Sequence, residues 1–245
     1  MCIRDSYHPW DLEVDHAIEL ATRCETAARD EDPRIVNSEG ATLNTHSGLH
    51  VYGNSHGFVG GYPSSRHSLS CAVVGKQDES MQRDYWYTLS RLGSKLDSPE
   101  SVGRLAAERT LSRLGARPVK TQEAPVMFQA DVAVGLLRTF ISAIRGSALY
   151  RKASFLLDHL GQPIFPDFVQ IHEEPRLPRG LASAAYDNEG VATTERTYIG
   201  DGELQSYVLD SYAARKLGLK TTGNAGGVRN LRINSGELDL SLIHI

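Results

Sequence analysis

The sequence has few cysteines, no basic surplus and no long apolar run, and each shortage argues against a class of protein. Its three cysteines, Cys2, Cys24 and Cys71, are widely spaced and odd in number, so they form neither a CxxC metal knuckle nor a disulfide framework. Acidic residues outnumber basic ones by 30 to 26, which argues against a nucleic-acid-binding surface. No stretch of about 18 apolar residues occurs, which argues against a membrane span. These features predict a protein of a reducing compartment, with the cytoplasm as the default location.

Both ends of the chain differ from the rest. The first six residues read MCIRDS and the last six read LSLIHI, and neither has a periodicity that joins it to its neighbours. Both resemble translated adaptor sequence, which is set aside before the fold is considered. We therefore expect residues 1–6 to be a non-native leader, residues 240–245 to be a non-native tail, and the rest to be an internal fragment of a longer protein.

The first half of the chain has the pattern of a helix, a meander of strands and a second helix. Apolar residues recur at three- and four-residue spacing over Val14–Arg29, which predicts an amphipathic helix. Short segments rich in β-branched and aromatic residues follow, separated by glycines and Asn/Asp/Ser clusters, which predicts antiparallel hairpins. Ser98 and Pro99 are placed to cap and begin a helix that Gly115 ends. We expect this domain to cover residues 7–117.

The second half mixes helices and hairpins. Its apolar opening, Ala124–Phe128, predicts a strand, and a long apolar helix is predicted over Val132–Ile144. A hairpin is centred on Gly200–Gly202, and a short helix is predicted over Ser211–Leu217. Helices and antiparallel hairpins occur in blocks without regular βαβ alternation, so the predicted fold class is α+β. The second domain, residues 118–239, is expected to be mixed but mostly antiparallel, and truncated.

A glycine-rich stretch near the end of the chain is the best candidate site. It lacks the Lys-Ser/Thr pair of a P-loop and does not follow a strand in a βαβ unit, so it is a weak nucleotide site. Glycines allow close backbone approach and positive φ angles, an asparagine offers a donor and an acceptor, and an arginine can clamp a carboxylate or a peptide carbonyl. The candidate residues for binding substrate or partner are Gly223, Asn224, Gly226, Gly227 and Arg229. The alternative is a solvent-exposed turn.

The remaining polar residues give no readable active site. Four histidines lie in the predicted meander: His46, His50, His56 and His67. A metal site needs three or four convergent ligands, and polar strand and turn residues are the simpler interpretation of these histidines. The acidic pairs Glu173-Glu174 and Asp187/Glu189 have no visible orienting partner, so we interpret them as solvated loop carboxylates. Cys71 lies in an apolar strand and is interpreted as a small core residue.

Several collinear segments are similar to one known family. They are Gly53–Gly57, Gly61-Tyr62, Ser65–Ser70, Met81–Tyr85, Ala107–Leu114, Tyr150–Leu157, Gly180–Ser183, Ser211–Lys220 and Thr222–Gly227. Together the similarity covers most of Tyr7–Ile233, and Ser211–Lys220 with Thr222–Gly227 is its most specific part. On these segments the chain resembles the TldD/PmbA family of metallopeptidases, and within it the PmbA (TldE) type of subunit.

The resemblance implies a cytoplasmic complex that acts on peptides or unfolded protein. In this family a TldD-like subunit carries zinc on an HExxxH helix, so the resemblance implies a zinc-bearing partner, a peptide substrate, and neither nucleic acid nor a membrane as partner. It identifies residues 7–117 as the middle domain and 118–239 as an incomplete C-terminal domain.

The resemblance also locates the stretch that corresponds to the zinc helix, Val126–Phe140. Here Gln129 and Val134 stand at the two histidine positions and Ala130 stands at the glutamate. Valine has no lone pair to offer, alanine cannot move a proton, and glutamine alone is a poor zinc ligand. The resemblance therefore implies no catalytic residue, no metal and no cofactor in this chain. We expect the helix to be structural, with its Val/Leu face packed in the domain core.

Two other functions stay open at this point. The chain could be a non-enzymatic peptide-binding or regulatory module, or it could be a hydrolase that binds metal through His46, His50 or His56. Against the second, no carboxylate base sits at a recognisable spacing among these histidines. A gene for an HExxxH partner in the same genome would favour the complex over the module.

Overall fold

The computed structural model describes residues 4–234, and the chain divides into two compact units. Within the described range, the first unit comprises Arg4–His50 and Pro63–Ala124. The second unit comprises Val51–Tyr62 and the residues from Pro125 onward. Helices and antiparallel sheets occur together, so the predicted α+β class is confirmed.

The expected leader and tail fall largely on residues that the structure does not describe. Residues 1–3 and the whole of 240–245 lie outside the described range. In the remaining part of the expected leader, Arg4–Ser6 form one turn of 3₁₀ helix, and Ser6 is buried.

Two helices and a three-stranded sheet build the first unit. The helices are α1 (Val14–Asp30) and α2 (Pro99–Ser112), and the strands are β1 (Ile35–Gly53), β2 (Val59–Gln77) and β3 (Ser80–Ser90), in the order β1-β2-β3. The predicted hairpins are present, with Gln77 opposite Ser80 where β2 turns into β3. The strands are much longer than the predicted segments. Gly60 and Gly61 are among the glycines taken to separate those segments, but they lie inside β2.

The predicted start of the second helix is confirmed. The Ser98 side chain accepts a hydrogen bond from the backbone N–H of Ser101 at 3.2 Å, and Pro99 is the first helical residue. This geometry satisfies one of the backbone donors that a helix leaves unpaired at its start.

Small residues let α1 and α2 approach closely in the core of the first unit. This core includes Cys24 and Ala28 of α1 and Ala106 of α2, and Cys71 of β2 is buried with them, as predicted. A Cβ atom placed on Gly103 of α2 would lie 2.1 Å from the Cys24 carbonyl oxygen. The two helices therefore fit together only because position 103 has no side chain.

A four-stranded antiparallel sheet and three helices form the second unit. The strands are β4 (Ile171–Glu173), β5 (Arg196–Gly200), β6 (Glu203–Leu204) and β7 (Leu231–Ile233), in the order β6-β5-β4-β7. The helices are α3 (Ala130–Ala143), α4 (Gly146–Leu149) and α5 (Ser211–Leu217). The predicted hairpin is confirmed, since β5 and β6 are joined through Asp201 and Gly202, both of which have positive φ. The predicted bounds of α5 are also confirmed.

The turn between β1 and β2 packs within the second unit. The Asn54 side chain accepts hydrogen bonds from the backbone N–H groups of His56 and Phe58, which shapes the turn. The Tyr186 hydroxyl donates to the Gly60 carbonyl oxygen at 2.8 Å, and its ring lies edge-on to Phe58 with centroids 5.0 Å apart. These contacts hold the turn between β1 and β2 against Tyr186.

Two predictions for the segment around α3 are wrong. Ala124–Phe128 forms no strand, and Val126, Met127 and Phe128 are exposed. Burial of the Val/Leu face is restricted to the end of α3, where Phe140, Ile141 and Ala143 join the core. Earlier in the helix, Val132, Val134 and Leu136 are between 41 and 57% exposed. The apolar pattern of a helix indicates which face can be buried, but it does not indicate along what length a core covers it.

Candidate functional site

The glycine-rich loop, Gly223–Gly227, adopts a backbone that other residues resist. Gly223, Gly226 and Gly227 have φ angles of 72°, 93° and 108°. A Cβ atom at position 223 would lie 2.9 Å from the Ala192 carbonyl oxygen, and one at 226 would lie 2.5 Å from the side-chain nitrogen of Asn188. The positive φ angles therefore favour glycine at both positions, and at 223 the Ala192 backbone also leaves no space for a side chain.

Asn224 is buried and fully engaged within the chain. Its Nδ2 donates to both carboxylate oxygens of Glu173 at 3.0 Å, and its Oδ1 accepts from the Thr222 hydroxyl at 2.6 Å. Only 5% of the residue is exposed. The side chain thus anchors the loop to β4, and its hydrogen-bonding groups are used for that purpose.

Glu173 is the centre of this anchor. Its carboxylate accepts from the Tyr198 hydroxyl and from the Arg229 backbone N–H, each at 2.5 Å, in addition to Asn224. Burial, together with the charge of Glu173, raises the pKa of Tyr198 well above its usual range, so this hydroxyl stays protonated and donates. The interpretation of Glu173 as a solvated loop carboxylate is wrong, because β4 places it inside the unit with only 2% of its surface exposed.

Asp187 holds the loop from its other side. One carboxylate oxygen accepts from the backbone N–H of Ala225, and the other accepts from those of Glu189 and Val191, all at 2.9 Å. Asp187 is 1% exposed, so its interpretation as a solvated carboxylate is also wrong. The turn after Asp187 folds around its carboxylate, as aspartate side chains commonly direct. Two buried carboxylates therefore anchor the loop through hydrogen bonds.

A cavity of about 180 Å³ lies against the outer side of this loop. It is lined by residues that include Arg145, Ser147, Asp210, Gly226 and Gly227. Arg145 precedes α4, and a Cβ atom on Gly227 would lie 3.2 Å from its Nη2 atom. Arg229, the arginine singled out by the sequence, does not line the cavity. Its Nε is buried without a hydrogen-bond partner within residues 4–234. No spacing rule in the sequence indicates Arg145 as a site residue. It lies 82 residues before Gly227, and the fold brings the two together.

The histidines do not converge. His67 is buried, with its Nε2 donating to the His8 carbonyl oxygen at 3.0 Å and its Nδ1 within 2.9 Å of the Thr45 hydroxyl. His46 and His56 are exposed. Over the described range, no three or more His, Cys, Asp or Glu side chains are grouped to hold a metal ion.

No helix within residues 4–234 is long and apolar enough to cross a membrane.

The three residues that the resemblance places at the zinc-motif positions stand at the exposed start of α3. Gln129 caps the helix without a side-chain hydrogen bond, Ala130 is its first residue, and Val134 is 41% exposed. Zinc in proteins is bound by thiolate, imidazole or carboxylate, and its bound water needs a base. Glutamine, alanine and valine supply neither a ligand of these types nor a base, so this residue set does not fit zinc.

Comparisons with known proteins find matches along most of the chain. Residues 7–114 match the PmbA/TldA metallopeptidase central domain, and residues 121–243 match the PmbA/TldA metallopeptidase C-terminal domain. Metalloprotease PmbA of Escherichia coli O157:H7 is 52% identical over 229 residues, which is 94% of this chain and 51% of that protein. The metalloprotease PmbA homolog of Haemophilus influenzae is 50% identical over 224 residues, covering 91% of this chain and 50% of that protein.

A solved structure shares the fold. The crystal structure of a candidate modulator of DNA gyrase from Bacteroides thetaiotaomicron superposes with a TM-score of 0.88 at 30% identity, covering 95% of this chain and 53% of that one. The chain therefore spans about half the length of the relatives that it matches.

Proposed function

This chain belongs to the PmbA/TldD metallopeptidase family, and we propose that it is part of a PmbA (TldE)-type subunit that carries no zinc. In this proposal a TldD-like partner holds the zinc, and the cytoplasmic complex of the two cleaves peptides or unfolded protein. The observation that carries the proposal is the residue set Gln129, Ala130 and Val134 at the start of α3.

The chemistry of that residue set separates the two kinds of subunit. A zinc peptidase needs ligands that hold the ion and a base that takes a proton from the bound water. Alanine and valine can do neither, and a single glutamine oxygen does not make a site. Peptide hydrolysis by the complex therefore depends on the partner's residues, and this chain contributes by shaping the chamber and holding substrate.

The candidate residues for that contribution remain Gly223, Asn224, Gly226, Gly227 and Arg229. The structure of the loop supports different roles for them. Asn224 fixes the loop through buried hydrogen bonds, whereas Gly226 is exposed and presents bare backbone. We propose that the loop meets the substrate or the partner through its backbone, and that the domain division at about residues 117–118 separates it from the middle domain.

Co-expression of the full-length protein with its TldD-like partner tests the proposal. We expect the two proteins to elute together in size-exclusion chromatography, and we expect peptide cleavage only when both are present. A partner whose HExxxH glutamate is replaced by glutamine is the control, because it should assemble without cleaving. If the partner alone cleaves peptides at the same rate and does not elute with this protein, the proposal fails and the peptide-binding or regulatory module is favoured.

A further inference from the structure

We propose that the cavity beside the glycine-rich loop binds a carboxylate of the peptide substrate, with Arg145 as the cation that receives it. The inference rests on the proposed function, since it specifies which chemical group of a peptide the chain holds. We refer to this cavity, lined by Arg145, Ser147, Asp210, Gly226 and Gly227 among others, as the Arg145 cavity.

Arg145 is exposed, and no acidic side chain of the described residues forms an ion pair with its guanidinium. The ion pairs and side-chain hydrogen bonds of residues 4–234 do not include its guanidinium. A guanidinium presents a planar fork of donors that matches the two oxygens of a carboxylate. Because the group faces a cavity, a ligand can approach it without displacing an internal partner.

The cavity wall next to Arg145 is backbone that is held in place. Gly227 lies so close to Arg145 that a Cβ atom there would be 3.2 Å from Nη2, and its N–H is bonded to the Asn224 carbonyl oxygen. The Glu173 and Asp187 carboxylates fix the loop from inside the unit. A ligand that binds here therefore has little backbone to order, which favours affinity.

The charges that line the cavity disfavour a phosphate group more strongly than a carboxylate. Asp210 also lines the cavity, and its charge is opposite to that of Arg145. One of its carboxylate oxygens caps α5 by accepting from the Ala213 N–H at 2.7 Å. A carboxylate carries one negative charge and a phosphate monoester carries nearly two at neutral pH, so repulsion from Asp210 disfavours the phosphate more strongly. The volume of about 180 Å³ suits a single residue of an extended peptide rather than a nucleotide.

Three fluorescent peptides distinguish the source of the carboxylate. The first is uncharged in its side chains and has a free C-terminus, the second is the same peptide amidated, and the third is amidated and contains one internal glutamate. Binding to the full-length protein without its partner is followed by fluorescence anisotropy. We expect the free-acid peptide to bind at least about tenfold more tightly than the amidated one, in line with a charge-assisted hydrogen bond. If the glutamate peptide binds as tightly as the free acid, the cavity accepts side-chain carboxylates as well as the C-terminal carboxylate.

Substitution of Arg145 tests the assignment. Arg145→Gln is expected to abolish the preference for the free acid, Arg145→Lys to restore part of it, and Arg215→Gln, on the exposed face of α5, to leave it unchanged. Thermal melting verifies that each variant is folded. Equal binding of acid and amide, no binding of any peptide, or a preference that survives in a folded Arg145→Gln protein would each overturn the inference. The proposed function fails separately, in the co-expression experiment, which does not depend on carboxylate preference.

Discussion

Gly103→Ala is expected to destabilise the first unit by about 3 kcal/mol, near the upper end of the cost of overpacking a core. The new methyl group would lie 2.1 Å from the Cys24 carbonyl oxygen and 3.0 Å from the Ala28 backbone nitrogen. Both contacts are with the backbone of α1, which cannot move aside as a flexible side chain could. The methyl group therefore forces α1 and α2 apart and opens the core between them.

Gly135→Ala in α3 is the matched control for this substitution. Both residues are helical glycines, but a Cβ atom at position 135 would have no atom of another described residue outside its own helix turn within 4 Å. Alanine there should stabilise the protein by about 0.5 to 1 kcal/mol, because it lowers the entropy of the unfolded chain and favours the helix. Urea denaturation followed by circular dichroism gives both values. A Gly103→Ala protein as stable as the unsubstituted chain would show that α1 and α2 do not pack as described.

Asn224→Ala is expected to cost about 3 kcal/mol of stability and to loosen the glycine-rich loop. The substitution removes both hydrogen bonds that Nδ2 donates to the Glu173 carboxylate. A buried charge is then left with fewer donors, and such losses are among the most expensive single changes in a folded protein. The melting temperature of the substituted protein measures the effect.

Asn37→Ala serves as the comparison for Asn224→Ala. Asn37 is exposed, and its side-chain oxygen accepts a hydrogen bond from the N–H of the neighbouring Ser38, so its loss should change stability by about 0.5 kcal/mol or less. If Asn224→Ala instead leaves the melting temperature unchanged and lowers peptide turnover by the complex, Asn224 contacts substrate and is not an anchor.

Elements with local signals could be predicted from the sequence. The cap at Ser98, the apolar period of α1, and the Asp201-Gly202 turn are each encoded within a few residues, so their positions were predictable. The lengths of β1 and β2 were not, because a glycine in an extended strand and a glycine in a turn look alike in the sequence.

The organisation of the candidate site depends on distant residues. Glu173 and Asn224 are 51 residues apart, and Asp187 and Ala225 are 38 apart. No local pattern indicates that these carboxylates turn inward or that Arg145 lies beside Gly227. The glycine content of the loop predicted positive φ angles correctly. The sequence pointed to Arg229 because it is close to the loop along the chain, but Arg145 is the arginine that lines the cavity.

The zinc content of the separately purified full-length protein is the most direct test of the central claim. Elemental analysis after mild chelator washing should find far less than one zinc per chain, because Gln129, Ala130 and Val134 cannot hold or use the ion. The TldD-like partner, washed in parallel, should retain about one zinc per chain, which shows that the washing spares a genuine site. About one tightly held zinc per chain in this protein would contradict the proposal that it is the subunit without zinc.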